Sequence, residues 1–316
     1  MATFDASFVG LTILDVAGRP VKGIPDGGGV EFIDEIRINP AGTAAGALMN
    51  AAKLGLSCRA VGCVGKDSKG DFIVDYYNRL GGINTAMLHR SEEMQTSATI
   101  LPIRPNGDRP ALHQRGANDC FFVNNEDFAA VCDAKFLHFG GTGLMRRMDE
   151  SGQSEKLLAY AKSKGLVTTF DLIAPDENTM NLVKPLLPHI DYFMPSMEEA
   201  LFLSGKASPE EAADYFLTLG AGACVFKWGS KGSFVKTAND QFRVPAFAVS
   251  VKDTTGCGDA YCGGFVAGLC KGLDLRESCR LGTAVSGLVA TGLGSDAGVV
   301  DCDATVQFME TAESLP

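Results

Sequence analysis

Asp253-Thr254-Thr255-Gly256-Cys257-Gly258-Asp259-Ala260-Tyr261 is a turn with two glycines that runs straight into a small-residue, apolar segment with helical spacing. The first N–H groups of a helix have no partner inside it, and the helix dipole leaves partial positive charge there. Gly256 and Gly258 carry no Cβ, so backbone can approach an anion closely, and the turn reads as an anion hole for a phosphoryl group in transfer. Asp259 follows at its mouth. A carboxylate beside bound phosphate is repelled by it unless it has a task, and taking the proton of an attacking hydroxyl is that task. The plainer alternative is an Asp that caps an ordinary helix.

Around this stretch, strands and helices alternate. Phe8–Leu11, Cys58–Val64, Lys135–Phe139, Leu166–Asp171, Tyr192–Met194 and Ala223–Lys227 read as strands. Ala44–Leu54, Ser68–Leu80, Glu155–Ser163, Glu198–Leu203, Ser208–Leu219, Tyr261–Lys271 and Arg276–Thr291 read as helices. Such alternation predicts a doubly wound α/β fold with a mainly parallel sheet covered by helices on both faces. Two stretches depart from it. Val30–Ile38 alternates apolar and polar residues, and Thr96–Arg115 carries two strand-like runs around Asn106-Gly107, a hairpin signal. These predict a small separate β-sheet.

Composition narrows the function. The 316 residues carry a net charge of −10 and no dense Lys/Arg cluster, which disfavours nucleic-acid binding. No apolar run reaches the length of a membrane span, and the N-terminus does not read as a secretory signal. The ten cysteines form no CxxC pair and fit buried thiols in a reducing cytoplasm; four histidines without metal spacing argue against a zinc site. Gly65-Lys66 is followed by Asp67 and lacks the upstream glycine of a P-loop. Gly292-Leu293-Gly294 follows a helix rather than a strand, against a dinucleotide site.

Asp253–Phe265, read as DTTGCGDAYCGGF, resembles the DTTGAGDAFxxGF signature of the ribokinase-like (PfkB-type) carbohydrate kinases. Further segments are similar to that family in the same order: Gly10–Asp15, Pro40–Gly46 with Ala51–Gly55, Val61–Gly70, Arg115-Gly116-Ala117-Asn118 and Lys227–Ser233. The likeness covers nearly the whole chain.

The resemblance implies one kinase domain over 1–316, with a lid built from roughly 12–40 and 83–115 that excludes water and forms a homodimer contact. It implies ATP-dependent phosphorylation of a hydroxyl on a sugar or sugar-like small molecule, with Asp259 as general base and Gly256, Cys257 and Gly258 as anion hole. Asp15, Gly42, Thr43, Gly46 and Arg115 would hold the acceptor. Gly46 stands where the family has a sugar-binding Asn, so the pocket is roomier or refilled by Asn39, Arg104, His113 or Arg115, of which Arg115 could pair with a carboxylate or phosphate. Lys227, Gly229, Ser230, Gly232 and Thr254 would hold ATP. Glu199, with Ser196 in place of the usual Asn, would assist Mg2+, and Asp253 would join a monovalent cation such as K+. A nucleoside kinase on the same scaffold and a catalytically weak sugar- or nucleotide-sensing protein are the competing functions. The intact Asp259 argues against the second.

Overall fold

The computed structural model describes residues 2–316. In chain order its strands are β1 Phe4–Gly10, β2 Ile13–Arg19, β3 Glu35–Ala41, β4 Cys58–Gly65, β5 Ile83–Ser91, β6 Ala98–Pro102, β7 Leu112–Gln114, β8 Ala134–Thr142, β9 Val167–Leu172, β10 Tyr192–Phe193, β11 Ala223–Lys227, β12 Ser233–Thr237 and β13 Gln241–Val244. Nine of them form a sheet in the order β13-β12-β11-β10-β9-β8-β1-β4-β5, and four form a second sheet, β3-β2-β6-β7. From β5 to β11 every pairing in the large sheet is parallel; only β12 and β13 turn back antiparallel at one edge. The expected architecture is therefore present.

Local chemistry sets the helix ends. Asp67, Ser208 and Asp274 each accept a backbone N–H from the first turn of the helix that follows. One sheet face is filled by Phe139, Phe170, Phe193, Phe226 and Phe234, one from each of five strands and all buried. Burying such a side chain stabilises by about 1.5–3 kcal/mol, so this row is a stiff base for the strand ends beyond it. On the other face, helix Cys257–Cys270 packs tightly between helices Thr43–Lys53 and Leu275–Ala290. A Cβ on Gly263 would fall 2.4 Å from the Ala47 carbonyl oxygen, which explains the small-residue composition of this third of the chain.

Two expectations need correction. β5 pairs parallel to β4 at the edge of the large sheet, so the small sheet takes its strands from 13–41 and 98–114, not from 83 onward. Of the alternating stretch only residues 35–38 are strand, the first part of β3; residues 30–34 are irregular, and Val30 and Phe32 are exposed. The hairpin does form, with Thr99 opposite His113 and Ile100 opposite Leu112, and Arg104 and Asp108 close the turn around Asn106-Gly107.

The small sheet is rooted by Asn118. Its side-chain N–H donates to the Thr12 carbonyl (2.8 Å) and the Ser97 hydroxyl (2.7 Å), while its oxygen accepts from the Thr12 amide (3.2 Å). Thr12 and Ser97 immediately precede β2 and β6, so one buried amide fixes both departures from the core.

Candidate active site

A cavity of about 910 Å³ opens between the small sheet and the carboxyl ends of the large sheet's parallel strands, where ligands of open α/β sheets bind. Gly256 is the N-cap of helix Cys257–Cys270, at φ 74°, with its Cα hydrogen against Ser295: a Cβ there would lie 2.6 Å from the Ser295 Cβ. Asp259 is the helix's third residue and makes no capping hydrogen bond, which removes the plainer reading of it as a cap. The amides of Gly258 and Asp259 lie in the first turn and have no acceptor within the helix. The Cys257 amide is partly spent on the Thr254 carbonyl (3.3 Å). Burial pushes the Cys257 thiol up to about 12, with Asp253 adding to it, so it stays protonated and lines the cavity as a neutral side chain.

Asp259 is surrounded by charge delivered from other strand ends. Asp171 comes from β9 and Lys227 from β11, and the two form a buried ion pair at 2.5 Å. A Cβ on Gly258 would come 3.3 Å from the Lys227 ammonium, which places that cation beside the turn. Burial, then the Asp171 carboxylate, push Asp259 up to about 7, against the opposing pull of Lys227. Burial alone would lower Lys227; Asp171, with Cys262 and Glu199, outweighs it and holds the ammonium raised.

Glu199 lines the same wall. Its Oε2 accepts from the Ser196 amide (2.8 Å) and the Ser196 hydroxyl accepts from the Glu199 amide (3.2 Å), a reciprocal cap that fixes the carboxylate. Burial and the nearby Asp171 raise its pKa. Gly229, Ser230, Gly232 and Thr254 also line the cavity, as do Thr283, Ser286 and Gly287 of helix Leu275–Ala290. The far end is closed by the C-terminal residues. Ala248 donates to the Glu313 carbonyl (2.8 Å), Leu315 to that of Ala246 (2.7 Å), and Leu315 faces the cavity.

Under the small sheet, Asn39, Asp15, Thr99 and His113 form one row across β3, β2, β6 and β7. Asp15, Thr99 and His113 line the cavity, and Thr99 Oγ1 lies 3.0 Å from His113 Nδ1. Burial pushes Asp15 up to about 7, Thr99 opposing and Asp253 adding to it. Burial, then Arg115, lower His113. Asp15 Oδ1, Asn39 Oδ1 and Asp253 Oδ2 are buried without a hydrogen-bond partner, and all three residues line a second cavity of about 10 Å³ together with Arg37, Thr255 and Gly294. The other Asp253 oxygen accepts from the Thr255 amide (3.1 Å) and hydroxyl (2.9 Å), shaping the turn before Gly256.

Gly42 and Thr43 line the cavity as expected; Gly46 and Arg115 do not. Gly46 packs beneath Asp259, because helix Thr43–Lys53 crosses there too closely for any side chain. Arg115 turns away to pair with Asp119 (2.8 Å), four residues on in the chain, and donates to the Gly143 carbonyl (3.3 Å). Arg104 is also elsewhere, on the Lys22 carbonyl (3.1 Å). Sequence reasoning missed Asp171 and Arg109. Arg109, on the β6–β7 connection, lines the cavity and donates to the Thr254 hydroxyl across 145 positions, a contact with no local signal.

Residues 5–302 match the pfkB family of carbohydrate kinases. An ATP-dependent 6-phosphofructokinase of Thermoanaerobacterium thermosaccharolyticum is 26% identical over 87% of this chain and 85% of its own. A 2-dehydro-3-deoxygluconokinase of Bacillus subtilis is 23% identical over 91% and 92%. A ribokinase-II-type protein of E. coli, solved with ATP and Mg2+, superimposes with a TM-score of 0.83 at 23% identity, over 97% and 99% of the two chains. Signature turn, strand-end charges and small sheet thus belong together, and the chain is a member of the pfkB family of carbohydrate kinases.

Proposed function

We propose that this kinase transfers the γ-phosphoryl group of ATP to an acceptor hydroxyl held between Asp15 and Asp259, with Asp259 as general base. The observation that carries the reading is Asp259 itself: a half-buried carboxylate with a pKa near 7, on the first turn of a helix whose amides point charge at the same cavity. A base poised there is mostly ionised slightly above neutral pH and can accept the proton of the attacking hydroxyl. The amides of Gly258 and Asp259 and the ammonium of Lys227 stabilise the transferring group. Asp171 keeps Lys227 in place.

ATP lies along Gly229, Ser230 and Gly232, with its base toward helix Leu275–Ala290 and Leu315. The Glu199 carboxylate, fixed by its own helix cap beside Asp171, is surplus negative charge that fits a hydrated Mg2+; when bound, the metal neutralises the phosphates. Asp253, whose Oδ2 is buried and unpartnered beside the turn that precedes Gly256, would be the group to hold a monovalent cation, and a KCl titration of turnover tests it.

The small sheet acts as the lid. Arg109, on the β6–β7 connection of this sheet, reaches the Thr254 hydroxyl and so brings positive charge from the lid to the edge of the anion hole. The sheet's outer face carries a row of Ile38, Val16, Ile100 and Leu112, three of them largely exposed, which supports a homodimer formed through the lid. The ten free cysteines fit a reducing cytoplasm.

The test is steady-state kinetics, each substrate varied in turn. Asp15→Ala is expected to raise the acceptor KM by about 10- to 100-fold with ATP KM unchanged, since charge-assisted hydrogen bonds are worth about 1.5–3 kcal/mol. An unchanged acceptor KM and kcat would move the acceptor pocket elsewhere.

A further inference from the structure

Two segments press on the turn at Gly256–Asp259 from outside it. Gly46, in helix Thr43–Lys53, lies against Asp259: a Cβ on Gly46 would fall 2.6 Å from the Asp259 Cβ. Ser295, in the loop after helix Leu275–Ala290, lies equally close to Gly256. The carboxylate and the turn are therefore held in place, from opposite ends, by whatever holds these two segments.

One side chain ties the segments together. Asn50 Nδ2 donates to the Gly46 carbonyl (2.8 Å) and to the Ser295 carbonyl (2.9 Å). Asn50 is fully buried inside helix Thr43–Lys53, where it is a poor local choice. Asn is a weak helix former, and its Oδ1 is buried here without a hydrogen-bond partner. An alanine or leucine would serve the helix better. What Asn supplies is two donors on one atom, reaching its own helix and a loop 245 positions away. Its Cβ also packs on Gly263, four residues past Asp259 in the helix that starts at Cys257.

The next residue of the loop is gripped as well. Asp296 is charged yet fully buried. Its carboxylate pairs with the Lys53 ammonium (2.7 Å) and accepts the Tyr76 hydroxyl (2.8 Å), and the same ammonium donates to the Asp296 carbonyl (2.7 Å). Lys53 ends the helix that carries Asn50, and Tyr76 belongs to helix Ser68–Leu80. A buried ion pair adds little stability over apolar packing of the same volume. Its product here is a loop fixed at Ser295 and Asp296, directly behind Gly256. Asn50, Lys53, Tyr76 and Asp296 all stand outside the lining of the large cavity.

We infer that Asn50 and Asp296 are positioning residues for phosphoryl transfer: acting through Gly46 and Ser295, they set the separation between the Asp259 carboxylate and the Gly256–Gly258 turn. The inference rests on the phosphoryl-transfer reading of the cavity. Neither residue touches a substrate. A misplacement of about 1 Å at reacting groups can cost about 10²-fold in rate, so a brace behind the site acts on kcat. The proposed nucleotide contacts at Gly229, Ser230 and Gly232 lie on another strand end and do not depend on it.

The experiment measures ADP release by the full chain with ATP and Mg2+, on whichever of ribose, fructose, inosine, 2-dehydro-3-deoxygluconate and fructose 6-phosphate turns over fastest. Asn50→Ala removes the bridge and should lower kcat by about tenfold or more, with the ATP KM within about threefold of wild type. Asn50→Leu refills the space without a donor and should lose as much. A smaller loss of kcat in Asn50→Ala, an ATP KM that rises beyond that range, or recovered turnover in Asn50→Leu overturns the inference and leaves the kinase reading standing. If the Asn50 variants show no thermal unfolding transition, Tyr76→Phe decides, because it removes only a hydroxyl from a half-buried side chain. A kcat lowered by about threefold or more at unchanged ATP KM then supports the brace, and a smaller change overturns it. If the wild-type chain releases ADP with none of the five acceptors, the phosphoryl-transfer reading itself fails and the inference falls with it.

Discussion

Gly46 and Asp259 touch: a Cβ on Gly46 would lie 2.6 Å from the Asp259 Cβ and 3.0 Å from its Oδ2. The position expected from the family resemblance to face the acceptor is here the floor under the Asp259 carboxylate. Gly46→Ala, in a helix interior, gains up to about 1 kcal/mol of helix propensity and loses about 1–3 kcal/mol to overpacking. Its Tm should change by only a few degrees. A displaced base, however, should cost about 10- to 100-fold in kcat. Wild-type turnover in Gly46→Ala would mean that the carboxylate is not held in its reactive position by this contact.

Asp259→Asn keeps the shape of the site and removes the proposed base. Turnover should fall by about 10²- to 10⁴-fold, with ATP binding by calorimetry retained. Stability supplies a second readout. The native pKa of Asp259 is raised to about 7 from 3.8. Between about pH 4 and pH 7 the native chain keeps a proton that the unfolded chain has released, so this group's contribution to stability declines as pH rises through that window. Asn does not titrate. The variant should therefore melt above wild type at pH 8, and the gap should close toward pH 5.

The acid limb of kcat/KM for the acceptor is expected near pH 7. Asp259 and Asp15 both sit there, so the limb should be steeper than a single ionisation. Asp171→Asn removes a negative neighbour of Asp259 and frees Lys227 to pull on it. Both effects lower the Asp259 pKa, so the limb should stay near pH 7 through Asp15 but relax to the slope of a single ionisation. A limb that stays equally steep would show that Asp259 is not one of the two groups.

Gly256 and Gly258 differ in what an added methyl meets. At Gly256 it meets the Ser295 backbone and an unfavourable φ of 74°; at Gly258 it meets only the end of the Lys227 side chain, 3.3 Å away. Gly256→Ala should lose stability outright, by about 1–3 kcal/mol. Gly258→Ala should melt near wild type and lose kcat, because the ammonium is moved off the transferring group. Denaturant melts and kinetics on both variants separate the two roles.

Much of this site is legible because the signature is local. Asp253 to Asp259 carry their turn, their helix start and the proposed anion hole within seven residues, and the strand–helix alternation predicts where they sit. What escapes is whatever depends on distant partners. Gly46 looks like a vacated sugar contact until helix packing brings Asp259, 213 positions away in the chain, onto it. Arg115 carries the right chemistry for an anion, but a rotamer choice commits it to Asp119. Arg109 gives no signal beyond its charge. β5 has ordinary strand periodicity, and periodicity does not say which of two sheets a strand joins.

The main-chain bonds from Ala248 to Glu313 and from Leu315 to Ala246 tie residues 313–315 to the far wall of the cavity. Breaking them would open the wall that Leu315 supplies, so under the proposed ATP placement nucleotide binding and the order of residues 313–315 would draw on one equilibrium. In amide hydrogen exchange, the Ala248 and Leu315 protons should slow when an ATP analogue is bound.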